Sequence, residues 1–316
     1  MIKLGLLRYQ RPMLALVPRM IARGLVPAGT YPLTAIEPVQ CVIAPPADRL
    51  VEQYTHWCGA TDRYPTTLPP HLVSHWGLPI ATRLLLQTPF PLARVLNQGV
   101  TIRIHGKLPR REVLHCRGSV QHITETDERI RMTVRLVTGT ATQTNLVETD
   151  LHMVFIRANA PGGKKSARSD NPEIWHTVGH WQADSHDGLR FALLTGDFNP
   201  IHWLALAGRM SALRSKILHG FGSFARTFEQ LDQRLHQRLN QQLGQNLEQI
   251  REQQRVTELD LRFLRPVPLP SGPLIVEQAP TSTPGQSAIR VADATGKCYL
   301  AGSVSCHNSC ASPIAD

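Results

Sequence analysis

A chain of 316 residues, 42% hydrophobic and 18% charged, exceeds the usual single domain and can bury a substantial core. It has no apolar run of the roughly 20 residues that a membrane-spanning helix needs, so no such span is expected. The formal net charge of +10 raises the question of nucleic acid, but Lys and Arg are spread along the chain with no helix-turn-helix, zinc-finger or aromatic RNA-binding pattern, so no nucleic-acid partner is expected.

The first 36 residues hold Lys3, Arg8, Arg11, Arg19 and Arg23 and no acidic residue. Pro12, Pro18, Pro27 and Pro32 interrupt any long amphipathic helix, and the uninterrupted apolar segment of a secretory signal is missing. An N-terminal arm packed on the fold is therefore expected. Cysteines follow at 41, 58, 116, 298, 306 and 310, without paired Cys-x-x-Cys spacing or a compact disulfide framework. They read as reduced, mostly buried thiols of a cytoplasmic protein. Cys306-His-Asn-Ser-Cys310 offers three nominal ligands with no fourth cluster elsewhere, so neither a metal nor a cofactor is expected.

Segments 112 to 123, 129 to 138 and 145 to 157 have beta-branched or alternating character between Gly, Pro, Asn or Asp breaks, and read as strands. Residues 159 to 172 combine Pro, Gly, Ser and charge without apolar periodicity and mark a linker. The expected division is 1 to 158, linker 159 to 172, and 173 to 316. The halves look alike. Val100-Thr-Ile-Arg-Ile-His-Gly-Lys-Leu-Pro109 resembles Leu259-Asp-Leu-Arg-Phe-Leu-Arg-Pro-Val-Pro268, and Tyr54 to Asp62 loosely echoes Phe191 to Asn199. With Gly59 laid on Gly196, Ala60 stands where Asp197 stands and Pro65 where His202 stands. The second half adds a stripe of Leu231, Leu235, Leu239, Leu243, Leu247 and Ile250, an amphipathic helix over 230 to 255 that packs on its own core or serves a homodimer. Strands are then expected at 256 to 265, 273 to 279, 287 to 293 and 297 to 306.

The most informative stretch is Phe191-Ala-Leu-Leu-Thr-Gly-Asp-Phe-Asn-Pro-Ile-His202. It sets a carboxylate, Asp197, and an imidazole, His202, five residues apart around an Asn-Pro turn after a short helix at Leu189 to Leu194. Gly196 can take a backbone conformation other residues avoid, and Pro200 restricts Asn199, so the chain must bend between the two side chains. Downstream, Ile217-Leu-His-Gly-Phe-Gly222 leads into a long helical pattern, whose start offers free backbone amides and the positive end of a dipole. The same residues admit a plainer reading, in which Asp197 and Asn199 serve only the turn and His202 is a core histidine.

Together, Thr-Gly-Asp-Phe-Asn-Pro-Ile-His and the later Leu-His-Gly resemble the MaoC-like hydratases and dehydratases, which include the R-specific enoyl-CoA hydratases. The resemblance implies an α+β double hot-dog fold, two helix-wrapped antiparallel sheets in one chain, with a degenerate first copy beside an active second one. It implies that Asp197 and His202 hold one water between them and act as general base and acid across a 2,3-enoyl thioester. The Gly220 amide would bind the thioester oxygen, Asn199 would steady the loop, and His219 would be a structural residue at the helix start, with Ser223 near the ligand. Arg209, Arg214 and Lys216 would belong to a basic rim that steers an acidic carrier, coenzyme A or acyl carrier protein. Leu68 to His71 and Trp76 to Leu86 would shape an acyl tunnel.

Two competing motifs fall away. Gly220-Phe-Gly222-Ser-Phe-Ala225 lacks the βαβ unit and downstream acidic residue of a dinucleotide site, and Ser223 lacks the final Gly of a hydrolase nucleophile elbow. The expected activity is interconversion of (R)-3-hydroxyacyl and trans-2-enoyl thioesters in fatty acid metabolism. Alternatives are a hot-dog thioesterase and a non-catalytic acyl-thioester-binding protein.

Overall fold

The structure, a computed structural model, describes residues 4–24, 34–92, 95–157, 174–210, 214–243 and 255–306. The expected linker at 159 to 172 and Cys310 lie outside these residues. The chain forms two compact units, one of Met1–Gly99, His105–Ser166 and Leu189–Asn199, the other of Val100–Ile104, Ala167–Gly188 and Pro200–Asp316.

In the first unit, a 3-10 turn at Leu4–Gln10 leads to α1 (Arg11–Leu14) and α2 (Val17–Gly24). Pro12 stands in the first turn of α1, where the amide it lacks would have had no partner. Leu6, Met13 and Leu16 are buried, and Gln10 Nε2 donates to the Leu193 carbonyl at 2.8 Å. Strand β1 (Val39–Ile43) precedes α3 (Asp48–Cys58), which ends on Gly59 in the left-handed region at φ 86°. A short ladder of β2 (Thr67–Leu68) with β4 (Leu108–Pro109) flanks the longer β3 (Val95–Ile104).

Between β2 and β3 lies α4 (Val73–Leu85). Val73, Trp76, Ile80 and Leu84 recur at helical spacing and are all but fully buried. They bring α4 against β5 (Leu114–Glu125) and β6 (Arg129–Gly139), where Trp76 Nε1 donates to Thr138 Oγ1 at 3.1 Å. With β7 (Val147–Ile156), the sheet order is β1-β5-β6-β7-β3. The Trp76 to Leu86 stretch is thus the helix at the centre of this unit's core.

The second unit contains β8 (His176–Trp181), the first two residues of α5 (Asp187–Thr195), α6 (Ala205–Met210), α7 (Gly220–Leu243), β9 (Val256–Phe263), β10 (Leu274–Pro280), β11 (Gln286–Asp293) and β12 (Cys298–Cys306). Its order is β8-β10-β11-β12-β9, antiparallel throughout. Leaving aside the short β2–β4 ladder, in each of these two five-strand orders the first strand by sequence stands at one end, the second at the other, and the third to fifth run consecutively between them. Between the first and second strands of these orders come α3 and α4 in one case and α5, α6 and α7 in the other, while α1 and α2 precede β1. The repeat suspected from Gly59 and Gly196 therefore extends to the whole strand order.

Strands expected from alternation lie within a few residues of those observed. The Gln-rich stripe continues α7 rather than forming a helix of its own: Phe224, Phe228 and Leu231 are buried on one run of helix. Its distal part, 244 to 254, lies outside the described residues. The cysteine expectation needs correction. All five described cysteines are free, but only Cys58 and Cys116 are buried, while Cys41, Cys298 and Cys306 keep partial exposure because they lie on β1, an edge strand, and on the half-covered β12. Among the described residues, no helix is long and apolar enough to cross a membrane.

Two buried polar groups give testable consequences. Although His75 keeps some surface, its Nδ1 is shielded from solvent, and burial lowers its pKa from 6.5 to about 4 against an opposing hydrogen bond to the Leu194 backbone. The unfolded chain takes up this proton near pH 6.5 and the folded chain only near 4, so the stabilisation is complete above 6.5 and lost as pH falls towards 4. The difference is worth about 3 kcal/mol. Urea titrations across this window should show a shallower fall in stability for His75→Leu than for the natural chain; equal slopes would remove His75 as the cause. In the second unit, Arg226 on α7 meets Asp187 at 2.8 Å, donates to the Gln182 carbonyl at 2.7 Å and lies over the Trp181 ring. Both charged groups are almost buried, so Arg226→Ala should cost about 3 to 5 kcal/mol in a urea titration.

Candidate active site

Asp187 and Gly188 open α5, and Gly188 is fixed by contact. A β-carbon there would stand 1.8 Å from the His202 carbonyl oxygen, so only glycine lets the helix start lie against the turn that carries His202. That turn is a 3-10 element, Pro200–His202, in which Trp203 and Leu204 donate their amides to the Pro200 carbonyl at 3.2 and 2.8 Å. Proline suits the first position because its φ is preset and no amide is needed there.

His202 is half-buried and its Nδ1 lies 2.9 Å from the Ile217 carbonyl. A carbonyl oxygen can only accept, so the ring carries a hydrogen on Nδ1, and in the neutral tautomer this selects, Nε2 has the lone pair. The imidazole stacks on that of His219, with ring centroids 3.7 Å apart and planes inclined by 26°. His219 is only 1% exposed. The backbone on both sides is tied down, with Ile217 N donating to Ile201 O at 3.4 Å and Leu218 N to Val267 O at 2.8 Å.

His219 caps α7: its carbonyl accepts Ser223 N at 3.0 Å and Ser223 Oγ at 3.4 Å. Gly220 is the first helical residue, one of the positions whose amide has no acceptor within the helix. Glycine here leaves room for the ring of Phe263 at the end of β9: a β-carbon would lie 2.4 Å from its Cε2 and would have to displace it. Phe263 carries no signal for this role in the sequence, where it reads only as a strand residue.

Asp197 stands on the chain segment before Pro200, which is counted with the first unit. Gly196 ends α5 at φ 86° with its amide on the Ala192 carbonyl at 2.8 Å. Beyond it, Asp197 N donates to Thr195 Oγ1 at 3.5 Å, and Asp197 Oδ1 accepts Asn199 N at 3.4 Å. The carboxylate is half-buried and Asn199 is exposed. The turn role of Asp197 and Asn199 is therefore present in the structure.

The second unit brings His202, His219 and Gly220 together, with Ser223 one turn into α7 and its hydroxyl directed at the His219 carbonyl. The basic residues are more dispersed. Arg209 on α6 and Arg214, at φ 54°, are exposed, whereas Lys216 Nζ donates to the Ser185 carbonyl at 2.6 Å. The Asp187–Arg226 pair, which anchors this end of α7, was not among the expected site residues; its partners are 39 positions apart in the sequence and follow no motif.

Residues 168–272 match the family model described as MaoC like domain. No curated protein matches the sequence. Among solved structures, HtdX of Mycobacterium tuberculosis is similar at a TM-score of 0.63 and 16% identity, covering 85% of this chain and 99% of its own. A MaoC-like dehydratase from Phytophthora capsici is similar at 0.62 and 15% identity, covering 87% and 95%. A conserved hypothetical protein of Mycobacterium tuberculosis with a double hotdog fold is similar at 0.50 and 13% identity, covering 87% and 97%. At these identities the likeness concerns the fold, and the fold of this chain is the α+β double hot-dog.

The close approach at Gly188 predicts that Gly188→Ala displaces the His202 turn. Its imidazole resonances should shift in a heteronuclear NMR spectrum and stability should fall by roughly 1 to 3 kcal/mol. Gly272→Ala, where a β-carbon meets nothing within 4 Å, is the control and should stay within about 0.5 kcal/mol of the natural chain.

Proposed function

We propose, for a chain that carries a MaoC-like domain over residues 168–272 on a double hot-dog fold, that it is a hydro-lyase interconverting (R)-3-hydroxyacyl and trans-2-enoyl thioesters. The observation that carries the reading is the His202 imidazole. Its Nδ1 is occupied by the Ile217 carbonyl and its face by the buried His219, so Nε2 is the nitrogen available to exchange a proton. One residue past His219, α7 begins at Gly220.

In the hydration direction, Asp197 and His202 hold a water. One takes its proton as the oxygen bonds to the β-carbon of the enoyl group, and electron density moves through the α-carbon to the thioester oxygen. That developing charge is met by the Gly220 amide and the positive end of α7, the kind of preorganised donor that contributes most at such sites. The proton then reaches the α-carbon, and the 3-hydroxyacyl product leaves. Dehydration runs the same steps in reverse. Proton transfer of this kind needs a positioned base and acid, roles that a carboxylate and an imidazole can fill.

Asn199 steadies the loop through its amide on Asp197, and His219 keeps the His202 ring in plane. Arg209 and Arg214, both exposed, are the members of the basic rim suited to the phosphates of coenzyme A or of an acyl carrier protein arm. Lys216 has a structural partner in Ser185, so its share in steering is smaller.

Purified protein should hydrate trans-2-enoyl-CoA, followed by loss of the conjugated enoyl absorbance. Asp197→Asn should lower kcat by about 10²- to 10⁴-fold while retaining the fold. An Asp197→Asn variant as active as the natural chain would overturn the assignment. Release of free thiol with no hydrated product would replace it with thioester hydrolysis.

A further inference from the structure

The first unit contains a second chemically distinctive place. In the register of β1 with β5, Cys41 lies directly opposite Cys116. Burial along β1 alternates, with Val39, Cys41 and Ile43 less exposed than Gln40 and Val42, and along β5 Leu114, Cys116 and Gly118 are buried while His115 and Arg117 are exposed. Side chains at successive even steps share a face, so both thiols are on the core face of the sheet. Directly opposed β-carbons in an antiparallel pair stand about 4.5 to 5.5 Å apart, and a disulfide needs about 3.5 to 4.5 Å. The closing movement is small, and β1 is the edge strand of its sheet, held on one side by β5.

The two thiols differ in environment. Cys116 is 5% exposed, whereas Cys41 keeps partial exposure. Cys116 hydrogen-bonds to Cys41 and the Arg83 guanidinium stands near, and together these hold the Cys41 thiol below its ordinary pKa against the effect of burial. The same hydrogen bond and burial push Cys116 well above its own. Of the two, the more readily deprotonated sulfur is the more accessible one, Cys41. Cys298 makes a useful contrast, because burial raises its pKa and its thiol is directed at the Leu300 carbonyl at 3.1 Å.

We propose that Cys41 and Cys116 form a peroxide-reactive dithiol, in which Cys41 is the attacking and Cys116 the resolving residue. The Cys41 thiolate attacks one oxygen of a hydroperoxide and breaks the O–O bond, giving a sulfenic acid on Cys41 and an alkoxide, or hydroxide when the oxidant is hydrogen peroxide, which takes a proton from solvent to replace the one Cys41 gave up. Cys116 then gives up its proton and attacks the Cys41 sulfur, displacing hydroxide that leaves as water. Two thiols are oxidised by two electrons to one disulfide, and the peroxide is reduced. The product ties the edge strand β1 covalently to β5.

Full-length protein exposed to hydrogen peroxide, then alkylated and digested, should yield a Cys41–Cys116 cross-linked peptide lighter by two hydrogens, with Cys58 and Cys298 still alkylatable. Cys116→Ser should stop at a sulfenic acid on Cys41 that dimedone traps. Cys41→Ser should slow oxidation of Cys116 at least about 10-fold. The proposal is overturned if the natural chain keeps both thiols reduced while its other cysteines oxidise. It is equally overturned if Cys41 is recovered bonded to a different cysteine, or if Cys41→Ser leaves the oxidation of Cys116 unchanged. None of these readouts depends on turnover of a thioester.

Discussion

The second unit depends on the place of Arg226. Its guanidinium meets the Asp187 carboxylate, the Gln182 carbonyl and the face of Trp181, and so joins three parts of the chain: the end of β8, the start of α5 and the flank of α7. A charged pair this far from water is stable only while both partners are present, which makes the relative position of the two helix starts nearly all-or-none. Asp187 also accepts the amide of Asp184 at 3.0 Å, a second contact that orients the carboxylate. With α7 pinned, Gly220 begins where Phe263 leaves no space for a side chain, and His219 falls against His202.

Alternation along the strands and the helical stripe after Gly220 are properties of neighbouring residues, and these were legible in the sequence. What sequence reading missed has a common cause. Strand β8 reads His-Thr-Val-Gly-His-Trp and buries only its last residue, so it lacks the apolar alternation that marks a strand, and pairing with β10 defines it instead. Strand β1 is five residues at an edge. The Asp187–Arg226 pair and the register of Cys41 against Cys116 are long-range relations with no local trace. The motif residues were found by resemblance to a family, while the reasons why glycine is needed at 188 and 220 came only from the atoms facing them.

The chemistry expected of each charged residue was also redistributed. Lys216, one of three basic residues expected at a rim, spends its ammonium on the Ser185 carbonyl, whereas Arg209 and Arg214 remain exposed. Ser223, expected near a ligand, directs its hydroxyl back to the helix it belongs to, as serine within a helix often does. Proximity in sequence to a motif nominates candidates, and the nearest carbonyl decides which of them are committed to the backbone.

Gly59 and Gly196 end their helices, α3 and α5, at the same φ, 86°. The residue after Gly59 is the fully buried Ala60, and the residue after Gly196 is the half-buried Asp197. At the helix starts, His71 is held by the Tyr54 hydroxyl at 2.8 Å, while His219 faces His202. The left-handed turn thus persists where the acidic side chain does not. It belongs to the architecture of the chain before it belongs to any reaction, because a helix stop of this shape requires the glycine and not the side chain that follows it.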